Sequence, residues 1–66
     1  MNLTVNGTPH NVPERTTLAE LMARENAASR GSAAAVDGVV VPRGSWAAFV
    51  LSDGSSVEVL TAVQGG

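Results

Sequence analysis

The sequence predicts an α+β fold in which one main helix lies across a mixed sheet of four to five strands. Apolar and polar residues alternate near both ends of the chain, as they do in half-buried strands. A helix-start signal followed by an amphipathic stripe lies between these segments. The dipeptides Asn6-Gly7, Asp37-Gly38 and Asp53-Gly54 indicate turns. One face of the helix and one face of the sheet can then share a core.

The first element is a β-hairpin. Apolar residues alternate with polar ones over residues 1–5, and Asn6-Gly7 follows as a strong hairpin signal because both turn positions need positive φ. Residues 8–12 then return antiparallel, which places Leu3 opposite His10 on one face. We therefore interpret the single histidine as a partly buried strand residue rather than a metal ligand.

The helix begins behind a capping box. Thr17 and Glu20 have the spacing at which each side chain bonds the other residue's free backbone N–H. The apolar stripe behind them consists of Leu18, Leu21 and Met22. We expect the helix to stop near residues 26–29, before Gly31.

Two short strands and a helical turn follow. The segment "AAAVDGVVVPRG" predicts a strand, a turn at Asp37-Gly38 and a second strand that stops at Pro42, which cannot donate to a ladder. In "RGSWAAF", Trp46 and Phe49 are three residues apart, as in a helical turn that closes one end of a core.

The last strand is predicted in "SVEVLTAV". Its alternation assigns one face to the core, Val57, Val59, Thr61 and Val63, and the other to solvent, Glu58, Leu60 and Ala62. This order of elements is that of the β-grasp, or ubiquitin-like, fold, with the first and last strands parallel at the centre. Leu60 is then an apolar residue on the open side near the chain end, and a candidate for contact with a partner.

Size and composition favour a carrier or binding module over a self-contained enzyme. The 66 residues form one predicted domain, 1–66, with 64–66 as a flexible tail. A chain of this size buries only about 60% of its unfolded surface. The net charge is −2 and the four basic residues are all arginine, so we expect no nucleic-acid partner. Without cysteine or an apolar run of membrane length, we expect a soluble, cytoplasmic protein with no metal site and no membrane contact.

The chain end is the part of the sequence suited to chemistry. Gln64, Gly65 and Gly66 extend about 10 Å beyond a strand that ends near Val63. Without Cβ atoms the glycines can enter a narrow channel that rejects other residues. Gly66 then presents an unhindered carboxylate to another enzyme, whereas no pair of carboxylates suggests catalytic residues within the chain itself.

The C-terminal half resembles a known family. "VVPRGSWAAFVLSDGSSVEVLTAVQGG" is similar to the V-P-R-x-x-W, D-G-(D)-x-(V/I) and terminal G-G motifs of ThiS-type sulfur carrier proteins of thiamine biosynthesis. The resemblance covers essentially the whole chain. Ser55 departs from it, since an acidic residue commonly follows the D-G turn, but this is a loop position.

The resemblance implies a protein co-substrate rather than an enzyme. A ThiF-type adenylyltransferase would use ATP to form an acyl-adenylate at Gly66, and sulfur from a cysteine desulfurase persulfide would replace AMP. Thiazole synthase would take sulfur from the resulting thiocarboxylate. Gly65 and Gln64 would enter the partner's active site, Leu60 and Val63 would dock the partner, and the carrier itself would bind no cofactor.

Three alternatives stay open on the sequence. The small subunit of molybdopterin synthase shares the fold and the thiocarboxylate chemistry. A ubiquitin-like modifier would instead attach Gly66 to a target lysine, although a chain without lysine cannot form lysine-linked polymers of itself. The third alternative is a β-grasp interaction module with an idle tail.

Overall fold

The computed structural model describes residues 1–25 and 31–61, and the predicted order of elements is confirmed there. The elements are β1 (Asn2–Val5), β2 (Thr8–Asn11), α1 (Leu18–Arg24), β3 (Ser32–Val36), β4 (Val39–Val41), a 3₁₀ helix (Arg43–Ala48) and β5 (Ser56–Thr61). The described helices are all too short to cross a lipid bilayer as an apolar span.

The strands form one mixed sheet of five with the order β2-β1-β5-β3-β4. β1 and β5 pair in parallel, and the other neighbours are antiparallel. The predicted parallel pairing of the first and last strands is therefore confirmed, and β5 has a neighbour on each side. A strand inside a sheet is held by two ladders, so β5 is well anchored at the centre of the molecule.

The hairpin has the predicted register. Leu3 lies opposite His10, and the turn residues Asn6 and Gly7 have φ values of 51° and 82°. His10 is half-buried, as the sequence predicts, and its Nδ1 lies 3.6 Å from a carboxylate oxygen of Glu25. The hairpin turn therefore sets both the facing pairs and the position of the histidine.

The capping box of α1 is also confirmed. The Thr17 N–H donates to Glu20 Oε1 at 2.8 Å, and the Glu20 N–H donates to Thr17 Oγ1 at 3.2 Å. The apolar stripe is fully buried: Leu18, Leu21 and Met22. The helix ends at Arg24, with Glu25 as its C-cap. This is earlier than the predicted end near residues 26–29, which lie outside the described residues.

The 3₁₀ helix closes one end of the core, as predicted. Trp46 is buried, and its indole N–H donates to the Val41 carbonyl at 2.8 Å. Phe49 packs against the same core while remaining partly exposed. The Arg43 guanidinium lies over the indole ring, 5.1 Å from its centroid. The hydrogen bond fixes the ring against the end of β4, where Pro42 terminates the strand.

Candidate functional site at the end of the central strand

β5 leads towards the chain end and is held on both sides. Along β1 its parallel pairing runs from Thr4 opposite Ser56 to Val5 opposite Val57. Along β3 its antiparallel pairing reaches Thr61. Val57 is completely buried between these neighbours. The position of β5 in the sheet is therefore set by the strands on both of its sides.

Two of the predicted turns anchor central strands, one at the beginning of β5 and the other at the beginning of β1. In the first, Asp37 accepts the Ser56 N–H on its Oδ1 at 3.0 Å, and its own N–H donates to the Ser56 carbonyl at 2.8 Å. In the second, Asp53 accepts the Asn2 N–H on its Oδ1 at 2.7 Å. These carboxylates have structural partners, which agrees with their assignment to turns.

Asn6 makes a further contact to β5 that sequence reasoning missed. Its side-chain amide bonds both backbone groups of Val59: Oδ1 accepts the N–H at 2.8 Å, and Nδ2 donates to the carbonyl at 3.2 Å. The sequence indicated a turn residue at this position and nothing more. The contact depends on the parallel alignment of two strands about fifty residues apart, and no local pattern carries that information.

Of the predicted site residues, Leu60 lies within the described part of the chain. Its side chain is 71% exposed on the face of the sheet opposite the core, so its assignment to the solvent side is confirmed. Its role in docking stays a prediction. Val63, Gln64, Gly65 and Gly66 lie outside the described residues, and their roles stay predictions as well.

Leu60 belongs to a larger apolar surface, which we call the open-face patch and define as Ala33, Ala35, Val40 and Leu60. In the sheet Leu60 lies directly opposite Ala33, and Ala35 lies directly opposite Val40, which is 70% exposed. The patch lines a shallow depression together with Asn6 and with Glu58, which lies directly opposite Ala35. Three successive valines at 39–41 do not reveal which side chain faces outwards, so sequence reasoning identified Leu60 alone.

The described residues offer a surface and a strand end rather than a set of reactive side chains. Within 1–25 and 31–61, no three His, Cys, Asp or Glu side chains are grouped so as to hold a metal ion. What this region offers is an exposed apolar surface beside the end of the described part of β5.

The sheet order, the one α-helix of the described residues and the central parallel pair define a β-grasp protein. The model of the ThiS family matches residues 3–66, which is almost the entire chain. The protein therefore belongs to the ThiS family. The family assignment made from the V-P-R-x-x-W and D-G motifs is thereby confirmed.

Solved structures agree with this assignment. The crystal structure of the thiamine biosynthesis protein ThiS from Geobacter metallireducens is 35% identical, covers all of both chains and gives a TM-score of 0.82. An NMR solution structure of the same Geobacter metallireducens protein is 34% identical, with a TM-score of 0.79. It covers all of this chain and 88% of the other. A comparison with curated proteins gave no significant match.

Proposed function

We propose that this protein is a sulfur carrier of thiamine biosynthesis whose C-terminal Gly66 is converted to a thiocarboxylate. The observation that carries the proposal is the ThiS family match, which extends through residue 66 and so includes the Gly-Gly pair. One relative, solved by crystallography and by NMR and described as a thiamine biosynthesis protein, supports the pathway. A firmly held central strand leading towards the tail is consistent with a carrier that must present its chain end.

The chemistry begins at the Gly66 carboxylate, which attacks the α-phosphate of ATP to give an acyl-adenylate and release pyrophosphate. A persulfide sulfur then displaces AMP, and a thiol cleaves the resulting acyl disulfide, leaving the thiocarboxylate and a disulfide. The chain contains no cysteine and so cannot carry sulfur as a side-chain persulfide. In this proposal the carrier is a co-substrate, and the ThiF-type adenylyltransferase binds ATP.

The open-face patch is the proposed docking surface for that adenylyltransferase. Leu60 is its most exposed large residue and lies near the end of β5. Burying a leucine in an apolar contact contributes about 1.5–3 kcal/mol. Docking there, with Val63 as a second contact, would bring Gln64 and Gly65 to the entrance of the partner's active site and Gly66 to ATP.

Adenylation can be tested by ATP–pyrophosphate exchange with a ThiF-type adenylyltransferase. We expect exchange with the wild-type chain and none after deletion of Gly66, because the deletion leaves the terminal carboxylate on Gly65, about 3.5 Å short of its position in the full chain. Gly44→Ala is the matched control, since a Cβ at this position meets no atom within 4 Å. No exchange with an adenylyltransferase that is active on another carrier would contradict the proposal.

The proposed acceptor is thiazole synthase, with a cysteine desulfurase as the upstream sulfur source in the cytoplasm. Membership of the ThiS family favours this acceptor over molybdopterin synthase. We expect the thiocarboxylate form to lose its sulfur when it is incubated with thiazole synthase and that enzyme's other substrates. Sulfur transfer only to the large subunit of molybdopterin synthase would contradict this assignment.

A further inference from the structure

The side chain of Asn6 makes the next two hydrogen bonds between β1 and β5, at the point where the β1 backbone turns away from β5. Along β1, the Thr4 N–H donates to the Ser55 carbonyl at 3.0 Å and the Asn6 N–H donates to the Val57 carbonyl at 2.8 Å. With this spacing of two residues, the next position on β5 is Val59. The β1 backbone turns away at Asn6, where φ is 51°, and the side-chain amide bonds both Val59 backbone groups instead.

In the described part of the chain, these are the last hydrogen bonds that β1 and its turn make to β5. Beyond Val59, the described pairs of β5 join Leu60 to Ala33 and Thr61 to Ser32, both of which are on β3. A strand held by one ladder frays and twists more easily than one held by two. The Asn6 amide thus restrains β5 two residues before the end of the described strand.

We propose that Asn6 is a positioning residue for the carrier reaction. By holding Val59, it fixes where β5 delivers the residues that follow it. This inference rests on the proposed function, in which Gly66 must meet ATP in a partner's active site. A reacting group that is misdirected spends less time in the reactive geometry, even when docking is unchanged. Loss of the Asn6 amide should therefore lower kcat while leaving KM for the carrier nearly constant.

The chain contains a matched control at Asp37. Asp37 is also the first residue of an X-Gly turn, with φ of 50°, and its side chain also bonds β5, through the Ser56 N–H at 3.0 Å. Its contact lies at the opposite end of the strand. Glycine adopts positive φ without strain. Asn6→Gly and Asp37→Gly therefore each remove one side-chain anchor of β5 and leave the turn geometry accessible.

The experiment combines amide hydrogen exchange in the carrier with ATP–pyrophosphate exchange by a ThiF-type adenylyltransferase. For Asn6→Gly we expect exchange of the Val59 amide to quicken about five-fold and kcat to fall about five-fold, the factor that one net hydrogen bond represents. KM should change less than about two-fold on the same scale. Asp37→Gly should leave Val59 exchange and kcat at wild-type values.

Three results would overturn the inference. Equal loss of kcat in Asn6→Gly and Asp37→Gly would mean that Asn6 only stabilises the fold. An unchanged kcat in Asn6→Gly would mean that Asn6 does not position the chain end, and the proposed function would still stand. A wild-type chain that is not adenylated would overturn both proposals together. If Asn6→Gly does not fold, Asn6→Asp replaces it, because Asp tolerates positive φ but cannot donate to the Val59 carbonyl. We expect kcat to fall in that variant too.

Discussion

At the scale of single residues, Leu60 is informative because of what surrounds it. A lone exposed leucine is common on protein surfaces. On this face Glu58 is the charged neighbour along β5, whereas the positions across β3 and β4 are apolar: Ala33 lies directly opposite Leu60, and Val40 is 70% exposed. This continuity makes the open-face patch a candidate interface, although the alternation in β5 indicated only one of its members.

We expect Leu60→Asp to weaken binding to the adenylyltransferase by about 10- to 100-fold, the factor that corresponds to one buried leucine. The carrier should keep its Tm, since the side chain is exposed. Titration calorimetry measures the affinity and circular dichroism the Tm. Val50→Asp is the control, because Val50 is 55% exposed but pairs with Thr17 at the helix start, outside the patch. Equal affinities for the Leu60→Asp variant and wild type would exclude this contact.

Trp46 shows how one side chain joins two elements. Replacing it with Phe removes the donor to the Val41 carbonyl and leaves that buried acceptor without its indole partner. Such a loss costs about 1–3 kcal/mol of the free energy of unfolding. Urea denaturation followed by circular dichroism is the appropriate measurement, since the variant lacks the protein's single tryptophan. Val39→Ala, at a position 67% exposed, should change the free energy far less.

At the scale of elements, α1 depends on its cap and on burial. A helix of seven residues is too short to be stable alone, so packing of its apolar stripe must supply most of its stability. The capping box then satisfies backbone groups at its first turn. Both the apolar stripe and the capping box could be predicted from the sequence, because each depends only on residues close together in the chain.

Thr17→Ala should lower the free energy of unfolding by about 1 kcal/mol, because the Glu20 N–H loses its acceptor. Chemical denaturation checks this value. Thr8→Ala, at an exposed position in β2, is the comparison and should have a smaller effect. Similar losses in the two variants would mean that the capping contacts contribute nothing specific to the helix.

Features that depend on distant pairing were harder to predict than the elements themselves. The turn at Asn6-Gly7 follows from local chemistry, whereas the bonds from Asn6 to Val59 require the parallel register of β1 and β5. The partners of Leu60 in the open-face patch likewise require the register of three strands. The predicted helix end lies beyond the observed one. The amino-acid composition after Arg24 gives no sign that the helical backbone ends there.

At the scale of the whole molecule, the sheet places the strand that leads to the chain end at its centre. β1 supports β5 in parallel on one side and β3 supports it on the other. Asp37 bonds its beginning at Ser56, and Asn6 bonds it at Val59. The fold thus holds β5 from both sides along most of its described length. The proposed chemistry of the segment beyond β5 rests on the sequence and on family membership, because residues 62–66 lie outside the described residues.

The most direct test of the carrier account is the intact mass of the protein after reaction. The chain is incubated with a ThiF-type adenylyltransferase, ATP, Mg²⁺ and sulfide, which can displace AMP directly. We predict a mass increase equal to replacement of one oxygen by sulfur in the wild type and in Gly44→Ala, and no increase after deletion of Gly66. An unchanged wild-type mass, with a partner shown to be active on another carrier, would contradict the account.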